Sequence, residues 1–300
     1  MKIGIDLGGS HIAIGVVNEN GVIVEKLEKR LTSVEKKDIK KSIEEYIIEN
    51  VNDFIKKYKI EGMGIAIPGT VDDKKIIKSV NLGLENYEIA EILKSNISLP
   101  ITIRNDAKCA AIAENKIGSL KNYDRSIFLT LGTGIGGAVI INDKLLETGE
   151  LPGCEFGHMT IEKNGVLCNC GKRGCWEKYA SMKSFKNNLR EKLGLDETTR
   201  GQELFNMIRD NKEENQNFKI IENTVNQYIE YLSLGIANLI NIFEPEAIGI
   251  GGSFVYFEEV LLDRLKNKLL EENMLFNSRK VINVQTAILG NEAGIIGATL

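Results

Sequence analysis

Apolar residues recur along this chain in two rhythms, short dense runs and longer helical spacings. Residues 2–6 and 12–18 are rich in isoleucine and valine and read as two strands, joined by the turn Leu7-Gly8-Gly9-Ser10-His11. Residues 22–31 continue as a third strand. Thr32-Ser33-Val34-Glu35 fits a capping box, in which the threonine hydroxyl and the glutamate side chain satisfy free N–H groups at a helix start. Beyond it Ile39, Ile43, Ile47, Val51, Phe54 and Tyr58 follow at helical spacing with Lys and Glu between them, which predicts a long amphipathic helix on a sheet. Residues 63–67 form a buried strand stopped by Pro68-Gly69. Residues 101–104 form another, running into Asn105-Asp106 and a helix over 107–116.

The same order restarts near residue 126. A strand over 126–131 leads into the turn Gly132-Thr133-Gly134-Ile135-Gly136-Gly137 and a return strand over 138–141, with Asn142-Asp143 as hairpin tip. Residues 195–219 are polar and weakly patterned and predict helices with surface loops. Val225, Ile229, Leu232, Ile236, Leu239 and Ile240 mark a long helix over 220–243, stopped before Pro245. A strand over 247–250 ends in Gly251-Gly252-Ser253. A helix over 255–270, a last strand over 281–284 and a short Gly/Ala-rich helix over 291–299 complete the chain. Strand, glycine turn, strand, then strand and helix occurs twice, which predicts an α/β protein of two similarly built domains with a cleft between them. The expected division is 1–117 plus 288–300, and 118–287. The repeat is one of element order, without residue-level identity.

Composition narrows the partners. A net charge of -4 gives no electrostatic reason to bind nucleic acid or an anionic membrane. No apolar run is long enough to span a bilayer. Asp6 interrupts the opening apolar stretch too early for a signal peptide, so a cytoplasmic, reducing location is expected. There, cysteines read as metal ligands before they read as disulfides.

Three glycine clusters each follow a buried strand: Gly8-Gly9-Ser10, Gly132-Thr133-Gly134, and Gly251-Gly252-Ser253. Glycine lets a chain turn sharply and aim successive N–H groups at an anion, and Ser10, Thr133 and Ser253 add hydroxyl donors. A single such cluster is usually only a turn; three at strand ends in both domains point to a phosphate site. None is a Walker A loop, because no Gly-Lys-Ser/Thr follows, and the first two lead into hairpins rather than helices. Asp6, at the end of its strand, suits a hydrated Mg²⁺.

His158 with Cys168, Cys170 and Cys175 makes a full tetrahedral set for zinc, and Gly171 and Gly174 let the loop close around the ion. With four protein ligands such a zinc is structural. Glu155 and Glu177 lie in the same stretch, outside the metal's set. Cys109 reads as a core thiol, and Cys154 as a small residue filling space. By position alone Asp106 is as much a helix cap as a catalytic base, Glu155 and Glu177 are as much solvated loop carboxylates as ligands, and a disulfide pair among the cysteines stays open.

Over nearly its whole length the chain resembles the ROK sugar kinases, which have the actin-like, ribonuclease H-like ATPase fold. Residues 6–10 resemble that family's first phosphate motif, 131–137 its second and 250–253 its adenosine motif. Ile67-Pro68-Gly69-Thr70-Val71-Asp72 resembles a sugar-side loop, Asn105-Asp106 the catalytic pair, and residues 289–294 the closing segment. Glu155-Phe156-Gly157-His158 with Cys168-x-Cys170-Gly-x-x-Gly-Cys175-x-Glu177 is similar to the family signature.

The resemblance implies ATP, Mg²⁺ and a structural Zn²⁺, with Asp6, Gly8, Gly9, Ser10, His11, Gly132, Thr133, Gly134, Gly251, Gly252 and Ser253 on the nucleotide side. It implies Asp106 as general base and Gly69, Asn105, Glu155, His158 and Glu177 on sugar hydroxyls, with His158 also on zinc. His11 stands where lysine is common, and Lys108 where asparagine is frequent. The implied reaction is transfer of the ATP γ-phosphoryl group to O6 of a hexose or N-acetylhexosamine. The run over 105–114 resembles N-acetylmannosamine kinases more than glucokinases, with N-acetylglucosamine also in view. A homodimer is implied by the family alone. Two rival classes are a sugar-responsive ROK repressor, for which no DNA-binding module is expected here, and a zinc-knuckle binding module, which leaves the three glycine turns unexplained.

Overall fold

The computed structural model describes residues 1–9, 11–33, 35–72, 74–147, 154–271, 274–276 and 282–300. Ser10, Val34 of the expected capping box and Val281 of the expected last strand lie outside the described residues. The chain forms two compact units, one of residues 1–122, 138–153 and 288–300, the other of 123–137 and 154–287. Residues 138–153, assigned to the second domain from sequence, group with the first unit. There the hairpin tip at Asp143 pairs with Lys116 at 3.4 Å.

The first unit is built on β1 (Lys2–Leu7), β2 (His11–Val17), β3 (Ile23–Arg30) and β4 (Gly62–Ile67). A separate three-stranded antiparallel sheet follows, made of β5 (Thr70–Val71), β6 (Ile76–Ser79) and β7 (Leu84–Tyr87). β8 (Ile101–Asn105) completes a five-stranded main sheet of order β3-β2-β1-β4-β8. β1, β4 and β8 are parallel, and β2 and β3 are antiparallel additions.

Helix α1 (Ile39–Lys57) lays Ile43, Ile47, Val51 and Phe54 on this sheet, all buried with Ile3, Ile5, Ile12 and Ile14 in one core. Each such side chain contributes about 1.5–3 kcal/mol by leaving water. The capping residues meet as expected: Glu35 Oε2 accepts the Thr32 N–H at 2.8 Å and the Glu35 N–H donates to the Thr32 hydroxyl at 3.3 Å. They cap a 3-10 turn at Glu35–Asp38 rather than the α-helix itself.

Helices α2 (Ile89–Lys94) and α3 (Asp106–Ile117) flank β8 in sequence, and the C-terminal helix Ala293–Ala298 lies against the sheet and α3. Its approach depends on glycine, because a Cβ on Gly64 would lie 1.7 Å from the Ala298 carbonyl oxygen.

The second sheet repeats the plan. β9 (Arg125–Leu131), β10 (Ile135–Ile141), β11 (Lys144–Leu145), β12 (Ala247–Gly252) and β13 (Asn283–Thr286) take the order β11-β10-β9-β12-β13. β12 runs parallel to both β9 and β13. Between β11 and β12 come α4 (Glu177–Ala180), α5 (Met182–Leu193), α6 (Gly201–Arg209) and the long α7 (Phe218–Phe243). α8 (Glu258–Leu269) follows β12 after a 3-10 turn at Val255–Phe257. The weakly patterned stretch before α7 holds α6, which buries Leu204, Phe205 and Ile208.

Candidate functional site

In the first unit the parallel strands bring the expected residues to one edge. Asp6, one residue before the end of β1, is level with Ala66, and Asn105 ends β8 level with Ile67. The turn Gly8-Gly9 leaves β1 at this edge, and Gly69 follows β4. Open α/β sheets place their ligands at such carboxyl ends.

Asn105, not Asp106, is the helix cap. Its Oδ1 accepts the N–H groups of Ala107 and Lys108 at 3.0 and 3.2 Å, and its Nδ2 donates to the Gly69 carbonyl at 2.9 Å. One amide hydrogen of Asn105 is left over for a ligand. Gly69 has φ +110, and a Cβ there would lie 2.3 Å from the Lys78 carbonyl oxygen, so only glycine fits this position.

Asp106 opens α3 partly buried, with Oδ1 accepting the Ala107 N–H at 2.8 Å. Burial, with the charge of Asp6 adding to it, pushes its carboxyl up to about 6. A carboxylate poised there holds its base form at neutral pH yet gains a proton readily. Asp6 Oδ2 lies 3.9 Å from His11 Nε2, and this contact raises the His11 imidazole above its ordinary value. The His11 ring lies over Gly8, where a Cβ would come within 2.3 Å of it. Two carboxylates on one sheet edge, one strained by the other, are a donor set suited to a hydrated divalent cation. Gly294 of the closing segment completes this edge, since a Cβ there would lie 2.9 Å from Asp6 Cγ. The sequence singled out that segment without giving Gly294 a role; small residues at 293–294 were the available signal.

In the second unit the two remaining glycine turns leave adjacent strands. Gly252 stands opposite Leu131, and the Leu131 carbonyl accepts the Ser253 hydroxyl at 3.5 Å and the Phe254 N–H at 3.3 Å. Gly132-Thr133-Gly134 therefore begins beside Gly251-Gly252-Ser253. Gly252 is left-handed at φ +72. Of the expected nucleotide-side residues, only Ser10 falls outside the described residues.

The zinc-type cluster stands beside the second turn. The ligand atoms of His158, Cys168, Cys170 and Cys175 all lie within 4.8 Å of one another. The Cys170–Cys175 sulfurs are 3.5 Å apart, and Cys168 Sγ is 3.7 Å from His158 Nδ1. Zn–S bonds of about 2.3 Å set tetrahedral ligand atoms about 3.7 Å apart. The described cysteines form no disulfide, and the set fits zinc.

The loop is shaped by its own backbone. The Cys168 N–H donates to Lys172 O at 2.8 Å, and Gly171 and Gly174 take φ +90 and +74. Trp176, fully buried, donates its indole N–H to Tyr231 O at 2.8 Å and seats on Gly235, which ties the loop to α7. Glu177 Oε1 lies 3.3 Å from Cys168 Sγ and 3.9 Å from His158 Nδ1, and its Oε2 would touch a Cβ on Gly134 at 2.5 Å. Glu177 thus stands between the metal cluster and the second glycine turn. Glu155 is exposed at the start of the 3-10 turn Phe156–His158. Cys109 is a fully buried thiol on α3.

Comparison with known proteins places this arrangement. The glucokinase of Thermotoga maritima is 32% identical over 99% of this chain and 95% of its own length. The xylose repressor of Bacillus subtilis is 30% identical over 99% of this chain and 75% of its own. The crystal structure of a ROK family glucokinase from Streptomyces griseus, in complex with glucose and AMPPNP, superposes with a TM-score of 0.79 at 28% identity, covering 99% of this chain and 97% of that one. A Listeria monocytogenes protein, provisionally assigned as an N-acetylmannosamine kinase, superposes at 0.80 with 27% identity over 100% and 97% of the two chains. The twice-repeated sheet is accordingly the actin-like, ribonuclease H-like ATPase fold. The ROK family profile matches residues 2–300, and the chain belongs to the ROK family.

Proposed function

We propose that this protein is an ATP-dependent sugar kinase that transfers the γ-phosphoryl group of ATP to the 6-hydroxyl of a hexose or N-acetylhexosamine. The observation that carries the reading is Asp106, a carboxylate raised to about 6 by burial, on the same sheet edge as Asp6 and the first glycine turn. In this reading the Asp106 carboxylate takes the proton of the sugar hydroxyl while its oxygen forms the new bond to phosphorus and the bond to the ADP oxygen breaks. The products are ADP and the sugar 6-phosphate. Such a base contributes about 10² to 10⁴ in rate.

The remaining Asn105 amide hydrogen and Glu155, His158 and Glu177 would orient sugar hydroxyls, with Gly69 holding Asn105 in place. Misplacement by an ångström costs phosphoryl transfer heavily, because positioning is most of its catalysis. The N–H groups of the three glycine turns, with Thr133, Ser253 and Ser10, would meet the nucleotide. Mg²⁺, held through Asp6 beside His11, would supply charge neutralisation on the phosphates. His158, Cys168, Cys170 and Cys175 would hold a structural Zn²⁺ that fixes the loop bearing Glu155 and Glu177.

Two sugars lead. Relatives named glucokinase support glucose, and the run over 105–114 together with the Listeria protein supports N-acetylmannosamine. Coupled ADP release over glucose, N-acetylglucosamine, N-acetylmannosamine, fructose and allose tests both levels. ADP release with one sugar names the substrate; none with any sugar sinks the kinase. The xylose repressor relative favours a second reading, a sugar-responsive regulator. Specific retention of promoter DNA without turnover would establish it, and the net charge of -4 argues against it. A cytoplasmic homodimer completes the proposal; no helix among the described residues is long and apolar enough to cross a membrane.

A further inference from the structure

We propose that Lys183 is the cationic contact for the nucleotide's phosphates at the second glycine turn, an assignment that rests on the kinase reading above. The strand β9 beyond Arg125, the turn after it and all of β12 with its turn contain no lysine or arginine. These turns offer N–H and hydroxyl donors without a full positive charge. A triphosphate seated on them needs charge from elsewhere in the fold.

The fold brings Lys183 to the turn. Lys183 is the second residue of α5, and its N–H donates to the Gly132 carbonyl at 3.0 Å. Ser181 caps this helix by accepting the Ser184 N–H at 3.1 Å, so the backbone at Lys183 is fixed. Gly132 itself faces open space, since a Cβ there would meet nothing within 4 Å. The Lys183 side chain is exposed and has no ion pair or hydrogen bond among the described residues.

An ammonium on a four-carbon stem reaches about 6 Å from its Cα, enough to cover an anion over Gly132 and Thr133. The other cations of α5 are committed: Arg190 to the Thr199 carbonyl and Lys192 to Gln227. Lys186 is partly buried and its ammonium is pushed down by burial. The helix start adds its own partial positive charge on the same side.

Titration calorimetry of the full chain with MgATP and with adenosine tests the assignment. Lys183→Met is expected to weaken MgATP about tenfold, leaving adenosine within about twofold, while Lys183→Arg stays within about threefold of wild type. Lys192→Met, the same charge change farther along the helix, is expected to bind MgATP as wild type does. An unchanged MgATP affinity in Lys183→Met overturns the assignment, as does an equal loss in Lys192→Met. Sugar turnover by the wild type is scored separately. A wild type that binds MgATP but phosphorylates no sugar sinks the kinase while the Lys183 result stands, and a wild type that binds no MgATP sinks both.

Discussion

Glu114, fully buried on α3, accepts the backbone N–H of Leu289 at 2.8 Å. The same oxygen accepts Ile288 N–H at 2.9 Å, and the other carboxylate oxygen accepts Ser119 N–H at 2.7 Å. One side chain thereby holds the end of the helix that begins with Asp106 and the segment that leads into the C-terminal helix. A buried carboxylate is tolerable because three donors replace its water. Gly118 leaves room for it, since a Cβ there would lie 2.2 Å from Glu114 Oε2.

Glu114→Gln is expected to destabilise the protein by about 1–3 kcal/mol. The amide oxygen still accepts from Ile288 and Leu289, but the amide nitrogen then faces the Ser119 N–H, and an orphaned donor costs about 1–3 kcal/mol. A thermal scan is expected to show a loss of about 2–5 °C. A variant melting with the wild type would mean that solvent or other groups satisfy these donors.

Asp106→Asn is expected to abolish turnover and stabilise the fold at once. The folded carboxyl is raised from 3.8 to about 6, so its ionisation costs folding free energy. Below 3.8 Asp106 is protonated both folded and unfolded and the cost is absent; it grows as pH rises and is complete above about 6. The neutral amide avoids it and still accepts from Ala107. At pH 8 the variant should gain about 1–3 kcal/mol, and at pH 3 nothing. Paired denaturation curves at the two pH values check this; a variant less stable than wild type at pH 8 would contradict the assigned cause.

The pH dependence of turnover follows from the same group. A base must be ionised to work, so kcat/KM is expected to fall about tenfold per unit as pH drops below about 6 and to level off above it. Asp6 raises the His11 imidazole above its ordinary value, so the charge His11 lends the nucleotide is lost only as pH rises, and nucleotide binding is expected to weaken on the alkaline side. A kcat/KM that stays level down to pH 5 would remove Asp106 as the titrating base.

What the sequence revealed, and what it hid, divides by range. Glycines at strand ends, the cysteine spacing and the apolar face of α1 are local signals, and each stands where its pattern puts it. β5, β6 and β7 carry two to four residues each, too short for a period of two to register. Helix α6 was blurred by the polar residues around Leu204, Phe205 and Ile208. The cap of α3 was ambiguous because Asn105 and Asp106 are both good capping residues; only the Asn105 hydrogen bonds resolve the pair. Glu114 resembles any helix glutamate until the chain returns 174 positions later to meet it.

Metal removal tests the loop that carries Glu155 and Glu177. Elemental analysis is expected to return about one zinc per chain, as one tetrahedral site requires. Cys170 is exposed, so Cys170→Ser removes a ligand without opening a core cavity. The variant is expected to lose zinc and to weaken sugar binding by at least about tenfold, because the loop and the groups that orient the ligands hold their geometry through the metal. MgATP binding should change far less, since the turns at Gly132 and Gly251 hang from β9 and β12 rather than from the loop. Trp176, seated on α7 next to this loop, gives an independent readout, and its fluorescence should report loosening when a chelator is added to the wild type. A zinc-free variant with unaltered sugar affinity and tryptophan emission would show that the loop keeps its shape without the metal.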